Sequence, residues 1–182
     1  MILIKFIVYF PLLIRFWTSN QKSLIIQDLY LKDKPIAKKI NRKFIERIST
    51  DKYFRSIFYF RTRSLFTNLL RLFYPKEKYF IIDVNSQIGG GIRTAHPFGT
   101  IINAQSIGEN LYINHLVTIG EKNGKRPNIG NNVELHANCI IIGGIKIGNN
   151  VIVGAGTVVT KDIPDNSTVV GAPIRFIDKL PS

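Results

Sequence analysis

Apolar residues recur at every sixth position along two stretches, Ile101, Ile107, Ile113 and Ile119, then Ile129, Leu135, Ile141, Ile147, Val153 and Val159. That period predicts a parallel β-helix of hexapeptide repeats, each repeat one short strand and one corner. Ile92, Leu111, Val117, Val133, Cys139, Ile145, Val151 and Thr157 sit two places before the next apolar position and supply a second inward group. Gly89, Gly108, Gly120, Gly130, Gly148 and Gly154 follow the apolar position directly, where the backbone freedom of glycine is expected to serve the corner. Side chains therefore fill the interior, and any chemistry must lie outside it.

Breaks in the period show where to look. Ile82 and Ile88 are in phase, one extra residue enters before Ile101, and four enter between Ile119 and Ile129. Insertions in a solenoid map to loops on one face, often the binding face. The first holds Thr94-Ala95-His96-Pro97-Phe98-Gly99, and the second runs from Glu121 through Lys125 and Arg126 to Asn128. Three repeats make one triangular coil, so residues about 18 apart share a corner. His96, Asn114 and His136 are accordingly expected to stack on one edge, with His115 beside them. After Val159 a turn over 162–166 leads to a last strand over 169–175, and 178–182 form a tail.

Residues 1–78 read as a helical module, with apolar groups at helical spacing such as Ile36, Ile40, Phe44 and Ile48, and with Pro75 at the exit. The segment 65–74 is apolar enough to pack against the first coil, and 79–177 form the repeat domain. The opening 17 residues are apolar but interrupted by Lys5, Pro11 and Arg15. They fall short of the roughly 20 residues a spanning helix needs and show no small-residue cleavage site, which predicts an interfacial or packed helix.

Charge divides the chain at the same place. Of 25 Lys and Arg, 17 lie in residues 1–79 against five of the 12 acids, so the repeats are nearly neutral and the net charge of +13 belongs to the N-terminal part. No nucleic-acid motif accompanies that charge, and basic residues alternate with large apolar ones. This favours an anionic membrane surface over nucleic acid, the alternative being a solvated helical face. The single cysteine, Cys139, occupies an inward position, which excludes an internal disulfide and fits a cytoplasmic protein.

The stretch 88–101, Ile-Gly-Gly-Gly-Ile-Arg-Thr-Ala-His-Pro-Phe-Gly-Thr-Ile, resembles the serine acetyltransferase branch of the hexapeptide-repeat acyltransferases, including relatives from polysaccharide biosynthesis. The likeness covers roughly residues 80–177. It implies a left-handed β-helix, a homotrimer with sites between subunits, and transfer of acetyl from acetyl-CoA without a metal. His96 aligns with the catalytic histidine of the family, as a general base for an attacking hydroxyl. From the resemblance and the residues' own position and charge, acceptor contacts are expected at His115, Lys125, Arg126 and Asp83, and coenzyme A contacts at Ala137, Gly154, Ala155, Thr160, Lys161 and Arg175.

Two departures bear on the acceptor. The aspartate that supports the family's histidine falls at Ile81, with Asp83 two residues later on the same strand face, and the acid preceding the histidine is Ala95. Loss of that acid removes a partner for the ammonium of an amino acid, so a sugar hydroxyl of a surface polysaccharide or its lipid-linked precursor is the leading acceptor, and serine the second. A γ-type carbonic anhydrase would need closely spaced zinc histidines, whereas His115 and His136 are 21 apart. A noncatalytic scaffold is the fourth reading, opposed by His96 and the exit turns at 160–164 and 171–173.

Overall fold

The computed structural model describes residues 2–31, 35–172 and 174–177, in two compact units, residues 1–78 and 79–182. The first unit is helical: α1 (Ile2–Val8), α2 (Phe10–Trp17), α3 (Lys22–Tyr30), α4 (Ile40–Thr50), α5 (Lys52–Arg61) and α6 (Leu65–Phe73). Pro11 opens α2, where its missing N–H costs nothing. Asp51 caps α5 by accepting from the amides of Tyr53 and Phe54, both at 2.9 Å, and Ser64 caps α6 through the Thr67 amide.

The centre of this unit is aromatic, with Phe16 stacked on Phe44 at 4.8 Å and Phe54 and Phe58 edge-on to Phe44. One ion pair is sealed within it: Arg61 Nε donates to Asp28 at 3.0 Å, each side chain only 1% exposed. Removing one partner of such a pair strands a buried charge, at a cost of about 3–5 kcal/mol. Ile40, Phe44 and Ile48 line the buried face of α4, but Ile36 precedes the helix in extended backbone and is half exposed. Among the apolar residues of α6 only Leu70 is buried, while Leu65, Phe66, Leu69, Leu72 and Phe73 face solvent.

The second unit is built from short strands: β1 (Phe80–Ile82), β2 (Gln87–Ile88), β3 (Arg93–Thr94), β4 (Thr100–Ile102), β5 (Ser106–Ile107), β6 (Tyr112–Ile113), β7 (Thr118–Gly120) and β8 (Asn128–Ile129). It continues through β9 (Glu134–Leu135), β10 (Ile140–Ile142), β11 (Lys146–Ile147), β12 (Ile152–Val153), β13 (Val158–Val159), β14 (Thr168–Val170) and β15 (Arg175–Ile177). Up to β13 successive strands go in turn to three different sheets, and β14 and β15 both join the third; the orders are β1-β4-β7-β10-β13, β11-β8-β5-β2 and β15-β14-β12-β9-β6-β3. Every pairing is parallel except that of β15 with β14. The result is a left-handed parallel β-helix of about five turns. We call these sheets A, B and C. The predicted second inward set is buried throughout, from Ile92 to Thr157.

Ile101 is a correction. It is 42% exposed, and Ile102 is fully buried and pairs with Ile119. Eight residues separate the ladder positions Thr94 and Ile102, so the insertion is two residues rather than one, and a shortened corner before Ile107 restores the phase.

The glycines are the second correction, because none of the six after the apolar positions has a left-handed φ. Their reason is close approach: a Cβ on Gly130 would stand 2.7 Å from the Gly148 carbonyl oxygen of the next coil, and one on Gly89 equally close to the Gly108 oxygen. The left-handed positions are held mainly by other glycines and by asparagines, whose short amides tolerate that region. Those amides also stitch coil to coil, Asn110 to Asn132 to Asn150 to Asn166 at 2.9–3.1 Å.

Candidate active site

Sheet C leads into sheet A through an edge on which most of the predicted chemistry collects. The ladder Thr94, Ile113, Leu135, Val153 continues one residue on as Ala95, Asn114, His136 and Gly154. At the next level the Leu116 amide bonds the Phe98 oxygen, the Asn138 amide the His115 oxygen, and the Gly156 amide the Ala137 oxygen, all at 2.8–3.0 Å. Phe98 therefore stands over His115 and Ala137, and His96-Pro97 is the two-residue bulge between Ala95 and Phe98. Stacking of His96 on Asn114 and His136 is thus corrected: Ala95 occupies that column, because the first coil is 19 residues long and not 18.

The bulge exposes His96 and holds it at φ 48°. Such a conformation is uncommon away from glycine and costs of order 1 kcal/mol or more, a feature that clusters at functional sites. His115 is the better-oriented imidazole. Asn114 Oδ1 accepts from the His115 amide at 2.9 Å and faces His115 Nδ1 at 2.7 Å. An atom bonded to an amide N–H is an acceptor, so Nδ1 donates to it.

Below the histidines, Ala137, Gly154 and Ala155 continue the edge with no bulky side chain. From the level of Phe98 to that of Ala155 is three inter-strand spacings, about 14 Å. This is a track on which an extended chain can lie against backbone.

The remaining predicted contacts are on the other edge of sheet A, where it leads into sheet B. Arg126 Nη1 lies 3.6 Å from Asp83 Oδ1, and its Nη2 donates to Gln105 at 3.0 Å. Asp83 thus pairs with Arg126, and within one chain it lies on a different corner from His96. Lys125 is on a projecting hairpin closed by bonds between Lys122 and Lys125, with Asn123-Gly124 at positive φ in its tip. Thr160 and Lys161 follow β13 onto this same edge, away from Ala155, and both are exposed. The backbone of Arg175 is in β15, but its side chain and Pro173 lie outside the described residues. Between the two edges, the outer face of sheet A presents the column Ile81, Ile101, Thr118, Ile140, Val158.

Sequence reasoning missed a polar group beside the first edge. Glu134 lies 3.3 Å from Arg93 and 3.7 Å from His136, and the Arg93 guanidinium covers the Tyr112 ring at 4.7 Å. The signal was present, since Arg93, Tyr112 and Glu134 each precede a ladder residue and so share the outer face of sheet C. No group of three or more His, Cys, Asp or Glu among the described residues can hold a metal ion.

The coil period and the three sheets define a β-helix of the hexapeptide-repeat class, and residues 126–161 match the model of the bacterial transferase hexapeptide family. The chain belongs, within it, to the serine acetyltransferase family. It is 37% identical over 127 residues to a serine acetyltransferase of Helicobacter pylori strain J99, covering 67% of this chain and 71% of that one. A protein of Escherichia coli K12 named for colanic acid biosynthesis acetyltransferase is 44% identical over 98 residues, covering 52% and 60%. The structure of Neisseria gonorrhoeae serine acetyltransferase superimposes with a TM-score of 0.72 at 26% identity, covering 96% of this chain and 72% of that one. Against a longer relative, the serine acetyltransferase of Synechococcus elongatus, the 41% identical match spans 41% of the relative's length.

Proposed function

We propose that this protein is an acetyl-CoA-dependent O-acetyltransferase, with His96 as general base. The imidazole takes the proton of an acceptor hydroxyl as its oxygen attacks the thioester carbonyl, and the coenzyme A thiolate leaves and takes up that proton. The pantetheine arm runs along Ala137, Gly154 and Ala155 of one copy, and Arg175 together with Lys161 of the partner subunit, on the opposite edge of sheet A, meets the phosphates. His96 and Arg126 belong to opposite edges of sheet A. A homotrimer resolves the separation, because one copy's histidine edge then meets the next copy's Arg126 edge. The enzyme works in the cytoplasm, at the inner face of the membrane.

The acceptor ranking changes from that expected of the sequence. Free serine is the better-supported acceptor, on one observation above all: Asp83 and Arg126 stand together, a carboxylate for an ammonium and a guanidinium for a carboxylate. The family membership adds to this. A sugar hydroxyl is the second reading, favoured by Ala95 beside His96 and by the polysaccharide relative.

Release of coenzyme A thiol from acetyl-CoA, followed with serine and with sugar acceptors, tests both. His96→Asn is expected to lower kcat about 10²–10⁴-fold, the usual share of a general base, while acetyl-CoA affinity holds. Near-normal turnover in that variant would remove His96 from the role. Turnover with a sugar and none with serine would reverse the acceptor assignment.

A further inference from the structure

The helical unit exposes far more apolar surface than its chemistry as a packed module explains. Leu65, Leu69, Leu72 and Phe73 form a helical stripe on α6, with Leu65 89% and Leu72 76% exposed, and the opposite side of the helix carries the buried Thr67 and Leu70. On α2 the stripe is Phe10, Ile14 and Trp17; on α1 it is Leu3, Ile4, Ile7 and Val8.

These stripes are neighbours. Arg15 of α2 donates from Nε to Thr67 Oγ1 at 3.1 Å and from Nη2 to the Thr62 oxygen at 2.9 Å. At the other end the Tyr74 hydroxyl bonds the Val8 oxygen at 2.6 Å, and the rings of Tyr9 and Tyr74 lie 5.3 Å apart. So α2 and α6 run antiparallel side by side, and α1 joins them at Val8. Apolar patches of this extent mark interaction sites.

Charge identifies the occupant. The segments that carry the face, residues 2–18 and 62–74, contain no Asp or Glu and four Lys or Arg, among them the exposed Arg63 and Arg71 that flank the α6 stripe. A second copy would bring the same positive charge to the contact with no carboxylate to meet it. An anionic bilayer offers both complementary charge and an apolar layer for the Leu, Ile, Phe and Trp side chains. No helix among the described residues is long and apolar enough to cross a membrane, so the helices must lie in its surface. We propose that α1, α2 and α6 together form a docking face that inserts into the interface of an anionic membrane, independently of the acyl transfer chemistry.

The chain's single tryptophan, Trp17, is on this face and reports on it directly. The full chain is mixed with vesicles of phosphatidylcholine alone and of equal parts phosphatidylcholine and phosphatidylglycerol. Sedimentation and a blue shift of Trp17 emission are expected with the anionic vesicles, and at least tenfold weaker partitioning at about 1 M salt, where screening acts within ~3 Å. Leu69→Ser with Leu72→Ser alters only exposed side chains. It is expected to weaken partitioning at least tenfold while leaving the thermal unfolding of the protein unchanged. Arg63→Gln with Arg71→Gln is a second variant and should weaken it several-fold on anionic vesicles only. Equal binding to both vesicle types, or none to either, would overturn the proposal. So would a loss of self-association in the leucine variant with vesicle binding intact, because a second copy would then be the occupant.

Discussion

Substituting Gly130 by alanine tests the physical basis of the coil stacking. Its Cβ would stand 2.7 Å from the Gly148 oxygen, 2.8 Å from the Gly148 carbonyl carbon and 2.9 Å from the Asn149 nitrogen. All three are backbone atoms of the next coil, about 0.6–0.8 Å short of the ~3.5 Å at which contacts with carbon become favourable. They have no rotamer by which to escape, so adjoining turns must separate. Overpacking of this kind costs about 1–3 kcal/mol, and reduced freedom of the unfolded chain returns about 0.4–1 kcal/mol. The net loss is about 1.3 kcal/mol, or about 3–5 °C in Tm for a chain of this size.

Two controls separate the causes. A Cβ on Gly120 has nothing nearer than 3.9 Å, so Gly120→Ala should leave Tm unchanged or raise it by about 2 °C. Gly156 has open space but φ of +68°, so Gly156→Ala should cost about 1 kcal/mol through backbone strain alone. Thermal unfolding followed by circular dichroism reads all three. If Gly130→Ala melts at or above the parent, or Gly120→Ala falls as far as Gly130→Ala, close approach is not what selects these glycines.

Ala155→Leu should fill the backbone track below the histidines and weaken coenzyme A binding at least tenfold by calorimetry, with Tm unchanged; unaltered affinity would take that track out of the site. Asp165 accepts from the Asn149 amide at 2.8 Å, which holds its carboxyl below the usual range. A depressed folded value means that the contribution is present above the unfolded value, about 3.9, and is lost as pH falls through the folded one. Asp165→Asn keeps an acceptor but cannot titrate, so the loss of Tm on acidification below about pH 4 should be shallower than in the parent, and an identical acid limb would show that this carboxylate contributes nothing.

Much of the β-helix could be read from its period because the period is the cause: a residue every six places is what three flat strands per coil demand. The inward set from Ile92 to Thr157 followed from the same rule, since each belongs to a position whose neighbours above and below are also apolar. Phase failed where the chain left the rule. Nothing in the local composition distinguishes Ile101 from Ile102; both are β-branched and apolar. Their assignment rests on how many residues the preceding corner absorbs, which only the hydrogen bonds from Leu116 to Phe98 and from Ile101 to Val117 reveal. The roles of Gly130 and Asn132 failed differently. Glycine after an apolar position suggests a turn, yet here the turn conformation is at the asparagine and the glycine answers to a backbone in the next coil, a contact between residues 18 apart.

The same logic explains why the site was legible as a set of residues and not as an arrangement. Phe98, His115, Ala137 and Ala155 share an edge because they occupy equivalent places in successive coils, which spacing almost discloses; His96 stands in the bulge just before Phe98, and a one-residue error in coil length put it in the column that Ala95 holds. Asp83 is different. Strand alternation put it on the same face as the family's supporting aspartate, but a triangular coil turns through a corner between Asp83 and His96 twice, so sharing a strand face says nothing about sharing an edge. The side chain that Asp83 reaches is Arg126, brought down by a hairpin 43 residues away. An insertion whose length is not a multiple of six has no phase of its own. Where its tip folds back is decided by the turn at Asn123-Gly124 and by the charge it finds, and both operate across coils that a period along the chain does not describe.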